Sequence, residues 1–157
     1  MRKNGCLSPG EDPVKTKAQI IFSLWLLIFI NYMDRSAISF AGPAIMSDLS
    51  MNAAAFGIVL SSFGLGYALA LVPGGIAADR WGARWVLIIT PLLWGTFTGL
   101  TGFVTAVSGF IVMRLGLGIS EGLFSPSIYK SIGDHFEPKQ RAGAIAICIS
   151  SLMLGPA

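Results

Sequence analysis

Long apolar runs, each closed by a short polar connection, organise the chain. Residues 18–46 are apolar apart from Asn31, Asp34, Arg35 and small hydroxyl residues, and further runs cover 53–78, 85–104 and 108–132. The polar stretch 47–52, the charged cluster 79–84 and a tight turn at about 105–108 separate them. At ~1.5 Å per residue, about 20 helical residues cross a hydrocarbon core of ~30 Å, so each run predicts a transmembrane helix. None alternates with period two, and lipid obliges each backbone amide to find its partner within its own segment, so the prediction is helices and not a barrel. Residues 133–141 are polar, and 142–157 are apolar again for sixteen residues, too few for a span, which predicts part of a fifth helix. The tail 1–17, with six charges, reads as a cytoplasmic segment. The expected fold class is therefore an all-α membrane protein with four complete transmembrane helices and part of a fifth.

Composition agrees with a lipid-embedded chain. Hydrophobic residues make up 54% and charged residues 12%, about half the charged share of a soluble domain, so a water-facing surface cannot be built. The formal charge of +3 comes from scattered residues with no basic-aromatic patch, which excludes a nucleic-acid partner and leaves the charge to set topology. Arg2, Lys3, Lys15, Lys17, Arg80, Arg84, Lys130, Lys139 and Arg141 all fall on one side of the predicted bilayer, and the connections 47–52 and 105–108 hold no Lys or Arg. That asymmetry predicts a multi-pass protein of the cytoplasmic membrane with its N-terminus inside the cell. Cys6 and Cys148 have no metal or redox spacing. No nucleophile–base pair or phosphate-binding loop is present, so neither an enzyme, nor a cofactor, nor a metal site is expected. Gly57, Gly64, Gly66, Gly74 and Gly75 in the second helix, and Gly116, Gly118 and Gly122 in the fourth, suit close helix–helix approach.

Two basic residues, Arg35 and Arg114, lie inside the spans, as do Asp34 and Glu121. An ion at the bilayer centre costs at least ~2.5 kcal/mol, so all four need partners, water or a function. Asp34 precedes Ser47 by 13 residues and Glu121 follows Ser108 by 13, which sets both carboxylates ~20 Å below the outer connections, near mid-membrane. Arg114 and Glu121 are seven residues apart and share a helix face with Gly118. Guanidinium groups that fit carboxylates, beside acids able to change protonation state, suit proton-linked movement of an organic anion. The alternative is a set of salt bridges that only fix the helices. Tyr32 and Tyr67 add phenols to the same region, or serve as packing residues.

The segment Gly75-Ile76-Ala77-Ala78-Asp79-Arg80-Trp81-Gly82-Ala83-Arg84 resembles the signature between helices two and three of the major facilitator superfamily, with Ala83 in place of one basic residue. Asn31-Tyr32-Met33-Asp34-Arg35, Tyr67 six residues before Pro73-Gly74-Gly75, and the Arg114-to-Glu121-to-Pro126 pattern resemble its anion:cation symporter family, which includes sugar-acid and hexuronate transporters. The resemblance covers about 18–157. It implies a twelve-helix fold in two halves, of which this chain supplies part of the N-terminal six-helix bundle, so that the missing C-terminal half is an expected partner and the chain alone is not expected to transport. It implies substrate binding at Arg35, Tyr67 and Tyr32, proton coupling at Asp34 and Glu121, and Arg114 paired with Glu121. Conformational gating falls to Gly75, Asp79, Arg80, Gly82 and Arg84. Small organic anions, protons and the lipid bilayer are the implied partners. Ser127 to Lys130 replace the Asn residues frequent after the helix-four proline, which leaves aromatic or short dicarboxylic acids open beside sugar acids. A drug or cation exporter of the same superfamily and a small structural or regulatory membrane protein are the competing readings.

Overall fold

The computed structural model describes residues 13–154, so the tail to residue 12, including Cys6, Arg2 and Lys3, lies outside the described residues. Five α-helices follow one another: α1 (Pro13–Asp48), α2 (Ala53–Trp81), α3 (Ala83–Thr101), α4 (Val107–His135) and α5 (Pro138–Leu154). There is no strand among the described residues. The first four are long and apolar enough to cross a membrane, and α5 has 17 residues.

Most of the helices outrun the apolar stretches that announce them. Lys15 and Lys17, expected in the tail, are already helical; α2 continues through Asp79 and Arg80; α4 includes Gly133, Asp134 and His135; α3 stops at Thr101 instead of about 104. The reason is that hydropathy marks the hydrocarbon boundary, whereas backbone hydrogen bonding carries on into the polar interface. Local chemistry sets the true ends. Asn52 opens α2 by accepting the Ala55 N–H on its side-chain oxygen at 2.8 Å. Gly82, at φ +88°, makes the sharp break between α2 and α3, a conformation a side chain would strain. Arg141 closes α4, donating through Nη2 to the Gly133 carbonyl at 2.7 Å and through Nε to that of Phe136 at 3.0 Å. Pro43, Pro73, Pro91 and Pro126 lie inside helices, as membrane helices tolerate.

Helix α4 is the centre of the bundle. It packs most extensively on α2 and next on α3, while α1 packs chiefly on α5. The α2–α4 seam is made of glycines. A Cβ on Gly74 would lie 2.7 Å from Leu123 Cα, one on Gly122 would lie 2.8 Å from Ala70 Cβ, and those on Gly66 and Gly118 would run into the facing backbone. Gly116 meets the Phe97 ring, whereas Gly57, Gly64 and Gly75 meet nothing, so five of the eight glycines expected to pack do so and three do not. Around this seam Leu24, Ile28, Trp94, Leu117, Phe124 and Ile132 form the main core, and Ile38, Met51, Val59 and Phe110 close the other end. Phe22, Phe40, Leu69 and Leu92 are exposed, as lipid contact requires.

Overfilling a packed interface costs about 1–3 kcal/mol per added side chain, and more where backbone must part. Gly122→Leu is therefore expected to abolish recovery of folded protein in detergent or lower its melting temperature sharply, with Gly64→Leu unchanged. Fluorescence-detected size exclusion with a thermal ramp checks this.

Candidate functional site

Halfway along α1, a cavity of about 390 Å³ opens between α1, α2, α4 and α5. Arg35, Tyr32 and Asn31 face it from α1, Tyr67 from α2, Ser125 and Tyr129 from α4, and Cys148 from α5. Its walls are otherwise mostly aliphatic, the usual make-up of a small-molecule site with a few fixed polar groups.

The central contact is ionic. Arg35 Nε donates to Glu121 Oε2 at 2.5 Å, joining α1 to α4. The Glu121 side chain has no exposed surface, whereas that of Arg35 keeps 27% of its own. Three aromatic rings surround the guanidinium: its Cζ lies 4.9 Å from the centroids of Phe63 and Tyr67 and 5.2 Å from that of Tyr32. Cation–π attraction holds the charge in place while the open side of the group faces the cavity. Tyr67 is itself anchored, its hydroxyl 2.7 Å from Ser125 Oγ.

Arg114 does not take the role expected of it. Its spacing from Glu121 amounts to ~10 Å along one helix axis, too far for a direct pair, and the carboxylate is met instead by Arg35 from the neighbouring helix. Arg114 forms no ion pair among the described residues; its Nε is buried without a partner, and its Cζ stands 5.7 Å from the Phe110 ring. Electrostatically it faces both Asp34 and Glu121. Asp34 accepts a hydrogen bond from Thr98 Oγ1 at 2.9 Å, linking α1 to α3.

The charged connection between α2 and α3 lies elsewhere, at the basic end. Asp79 Oδ1 is 3.4 Å from Lys130 Nζ, which lies at the same distance from Asp134 of its own helix. Arg80 and Arg84 are exposed, and Gly75 is free of close neighbours. Lys17 Nζ donates to Gln140 at 3.0 Å, so the start of α1, the end of α2 and the α4–α5 connection meet at one end of the bundle.

Sequence reading thus reached Arg35, Tyr32, Tyr67, Asp34 and Glu121, and missed Phe63, Thr98 and Lys130 as partners. Phe63 stands one turn before Tyr67, and Lys130 four residues before Asp134, spacings that could have flagged both. Nothing about Thr98 stands out from the hydroxyls around it.

The profile of the Major Facilitator Superfamily matches residues 24–157. The chain belongs to that superfamily. It is 38% identical over 143 residues to a hexuronate transporter of Bacillus subtilis, covering 91% of this chain and 34% of that one. It is 36% identical to a probable sulfoacetate transporter of Cupriavidus necator, covering 94% and 34%, and 33% identical to a probable galactarate/D-glucarate transporter of Pseudomonas putida, covering 87% and 32%. A solved structure of a bacterial homologue of the human lysosomal transporter Spinster, inward-facing and unoccupied, superposes with a TM-score of 0.83 at 26% identity, over 88% of this chain and 29% of that one. The chain therefore spans about a third of the length of these curated relatives. They are transporters, not enzymes, and this superfamily member is a multi-pass membrane protein.

Removing one partner of a buried ion pair strands the other, at about 3–5 kcal/mol. Glu121→Leu should destabilise the bundle by a large part of that, and Arg35→Met with Glu121→Leu by clearly less than the sum of the single changes. A double-mutant cycle on thermal unfolding in detergent checks this.

Proposed function

We propose that this bundle belongs to a proton-coupled symporter that carries a small organic anion, such as a sugar acid, across the cytoplasmic membrane. The observation that carries the reading is the Arg35–Glu121 pair at the edge of the cavity. A guanidinium whose carboxylate partner, the only one among the described residues, can take up a proton is a switchable anion site. While Glu121 is ionised it occupies Arg35; once Glu121 is protonated, the Arg35 fork turns to a substrate carboxylate. Tyr32 and Tyr67 flank the bound group, and a volume of ~300–1,000 Å³ is what small-ligand sites require. Hexuronate, galactarate/glucarate and sulfoacetate transporters among the relatives support a small organic acid as cargo.

Asp34 is the second proton site in this scheme, oriented by Thr98, with Arg114 the charge that faces both acids. The Asp79–Lys130 contact, with Gly75, Arg80, Gly82 and Arg84 around it, is the gate at the basic end. That end faces the cytoplasm, as the gathering of Lys17, Lys130 and Arg141 around it supports. In this scheme the cavity, lined here from α1, α2, α4 and α5, faces a second half of the transporter, which completes alternating access.

Uptake of radiolabelled glucuronate by membrane vesicles bearing the protein, expressed from its complete reading frame, tests the reading. Arg35→Ala is expected to lower uptake by about 30-fold or more, since losing a buried charged contact costs ~2–5 kcal/mol. Glu121→Gln is expected to keep substrate counterflow and lose accumulation driven by a pH gradient. Organic-acid transport that is indifferent to Arg35 would point to the exporter branch.

If Asp79 gates the basic end, Asp79→Asn and Lys130→Ala shift the protein toward the inward-open state by similar amounts. Labelling of a single cysteine placed on the cavity wall, by a membrane-impermeant reagent in inside-out vesicles, should rise several-fold in both variants.

A further inference from the structure

The two oxygens of Glu121 are not equivalent. Oε2 receives Arg35, whereas Oε1 is buried with no donor. Asn31, 4% exposed, acts on the same carboxylate from α1, and its Nδ2 is also buried without a hydrogen bond. Asn31 and Arg35 are four residues apart on α1, one turn, so both reach Glu121 from one face of that helix. A buried donor on α1 and a buried acceptor on α4 are thus each left without a hydrogen bond, which folded proteins seldom allow without a reason.

We propose that Asn31 is a positioning residue for the proton-carrying step at Glu121, an inference that rests on the symport reading above. A carboxamide alone among neutral side chains offers both N–H donors and a carbonyl acceptor. With Glu121 ionised, Asn31 Nδ2–H serves Oε1. When a proton from the aqueous phase adds to Oε1, no other covalent bond changes, and the amide turns so that Oδ1 accepts the new O–H. Glu121 then keeps a hydrogen-bond partner at the moment Arg35 moves to the substrate. The other groups around the acid are Arg35, Asp34 and Tyr32 from α1 and Arg114 from α4, with Tyr67 of α2 over the Arg35 guanidinium. Of these only the two tyrosine hydroxyls are neutral, and that of Tyr67 is held by Ser125 while the Tyr32 ring stands by the Arg35 guanidinium, with neither hydroxyl bonded to Glu121 among the described residues.

Asn31→Leu removes both hydrogen-bonding functions at similar volume. The experiment measures glucuronate uptake against pH, together with counterflow at equal pH on both sides, for the parent, Asn31→Leu and Glu121→Gln. In the parent, uptake falls as pH rises through a midpoint. Asn31→Leu takes a charge-assisted hydrogen bond from the ionised acid and a weaker neutral one from the protonated acid, so its midpoint is expected to move up by about one pH unit, the difference between the two, with the counterflow KM within about twofold. Asn31→Ala, read the same way, replaces it if Asn31→Leu is not inserted. Uptake that drops equally at every pH with an unmoved midpoint overturns the proposal in favour of a packing role. A raised counterflow KM without a midpoint shift overturns it in favour of a direct substrate contact. If the parent shows no pH dependence and Glu121→Gln accumulates substrate as the parent does, the symport reading fails, and this proposal with it.

Discussion

A carboxylate with no exposed surface, midway along a central helix, needs a cation, and the bundle supplies one from a different helix. Much of the architecture follows from bringing Arg35 and Glu121 together. α1 must pass close enough to α4 for the guanidinium to reach, yet it packs mainly on α5 and leaves a cavity beside the pair. The pair is therefore half in the protein and half in the space, dry on the glutamate side and open on the arginine side. Had both groups been sealed, the contact would have been a static strut, often replaceable by apolar packing. Open on one side, it becomes a site at which another anion can compete.

The glycine seam makes that geometry possible. Because α2 and α4 touch backbone to backbone at Gly66, Gly74, Gly118 and Gly122, the aromatic side chains of α2 are carried up to the Arg35 guanidinium, and Tyr67 to the cavity wall. Phe63 and Tyr67 then stand over Arg35, and Tyr67 reaches across the seam to Ser125. A larger residue at Gly118 would part α2 from α4 and so remove two of the three rings that hold the guanidinium. Packing and chemistry therefore rest on the same few positions, which is why glycines that carry no polar side chain matter to the site.

The fold class was legible because lipid reduces the problem to apolar run length, and the ionisable residues inside those runs were legible because each is expensive. Helix ends were less so: Lys15, Asp79 and Asp134 are helical although polar, since hydrogen bonding does not stop where the hydrocarbon does. Pairing was the harder matter. Seven-residue spacing put Arg114 and Glu121 on one face and the family resemblance implied a partnership, but a shared face fixes direction and not distance, and the cation that arrives comes from α1. Thr98 on Asp34 shows the same limit, because contacts between helices depend on rotations and tilts that no single helix encodes.

Charge counting links the site to coupling. Asp34, Glu121, Arg35 and Arg114 sum to zero, so the empty cluster is electrically balanced in a low-dielectric setting where imbalance is costly. Bringing in a monoanion upsets that balance unless one of the acids takes a proton. The acid best placed to do so is the one whose ionised form already holds Arg35, because its protonation both restores neutrality and frees the arginine. On the proposed reading, symport requires no further device: anion and proton enter together because either alone leaves a buried charge unmatched. Arg114, buried with an open Nε and facing both acids, then keeps the remaining carboxylate in check while Arg35 is engaged with the substrate.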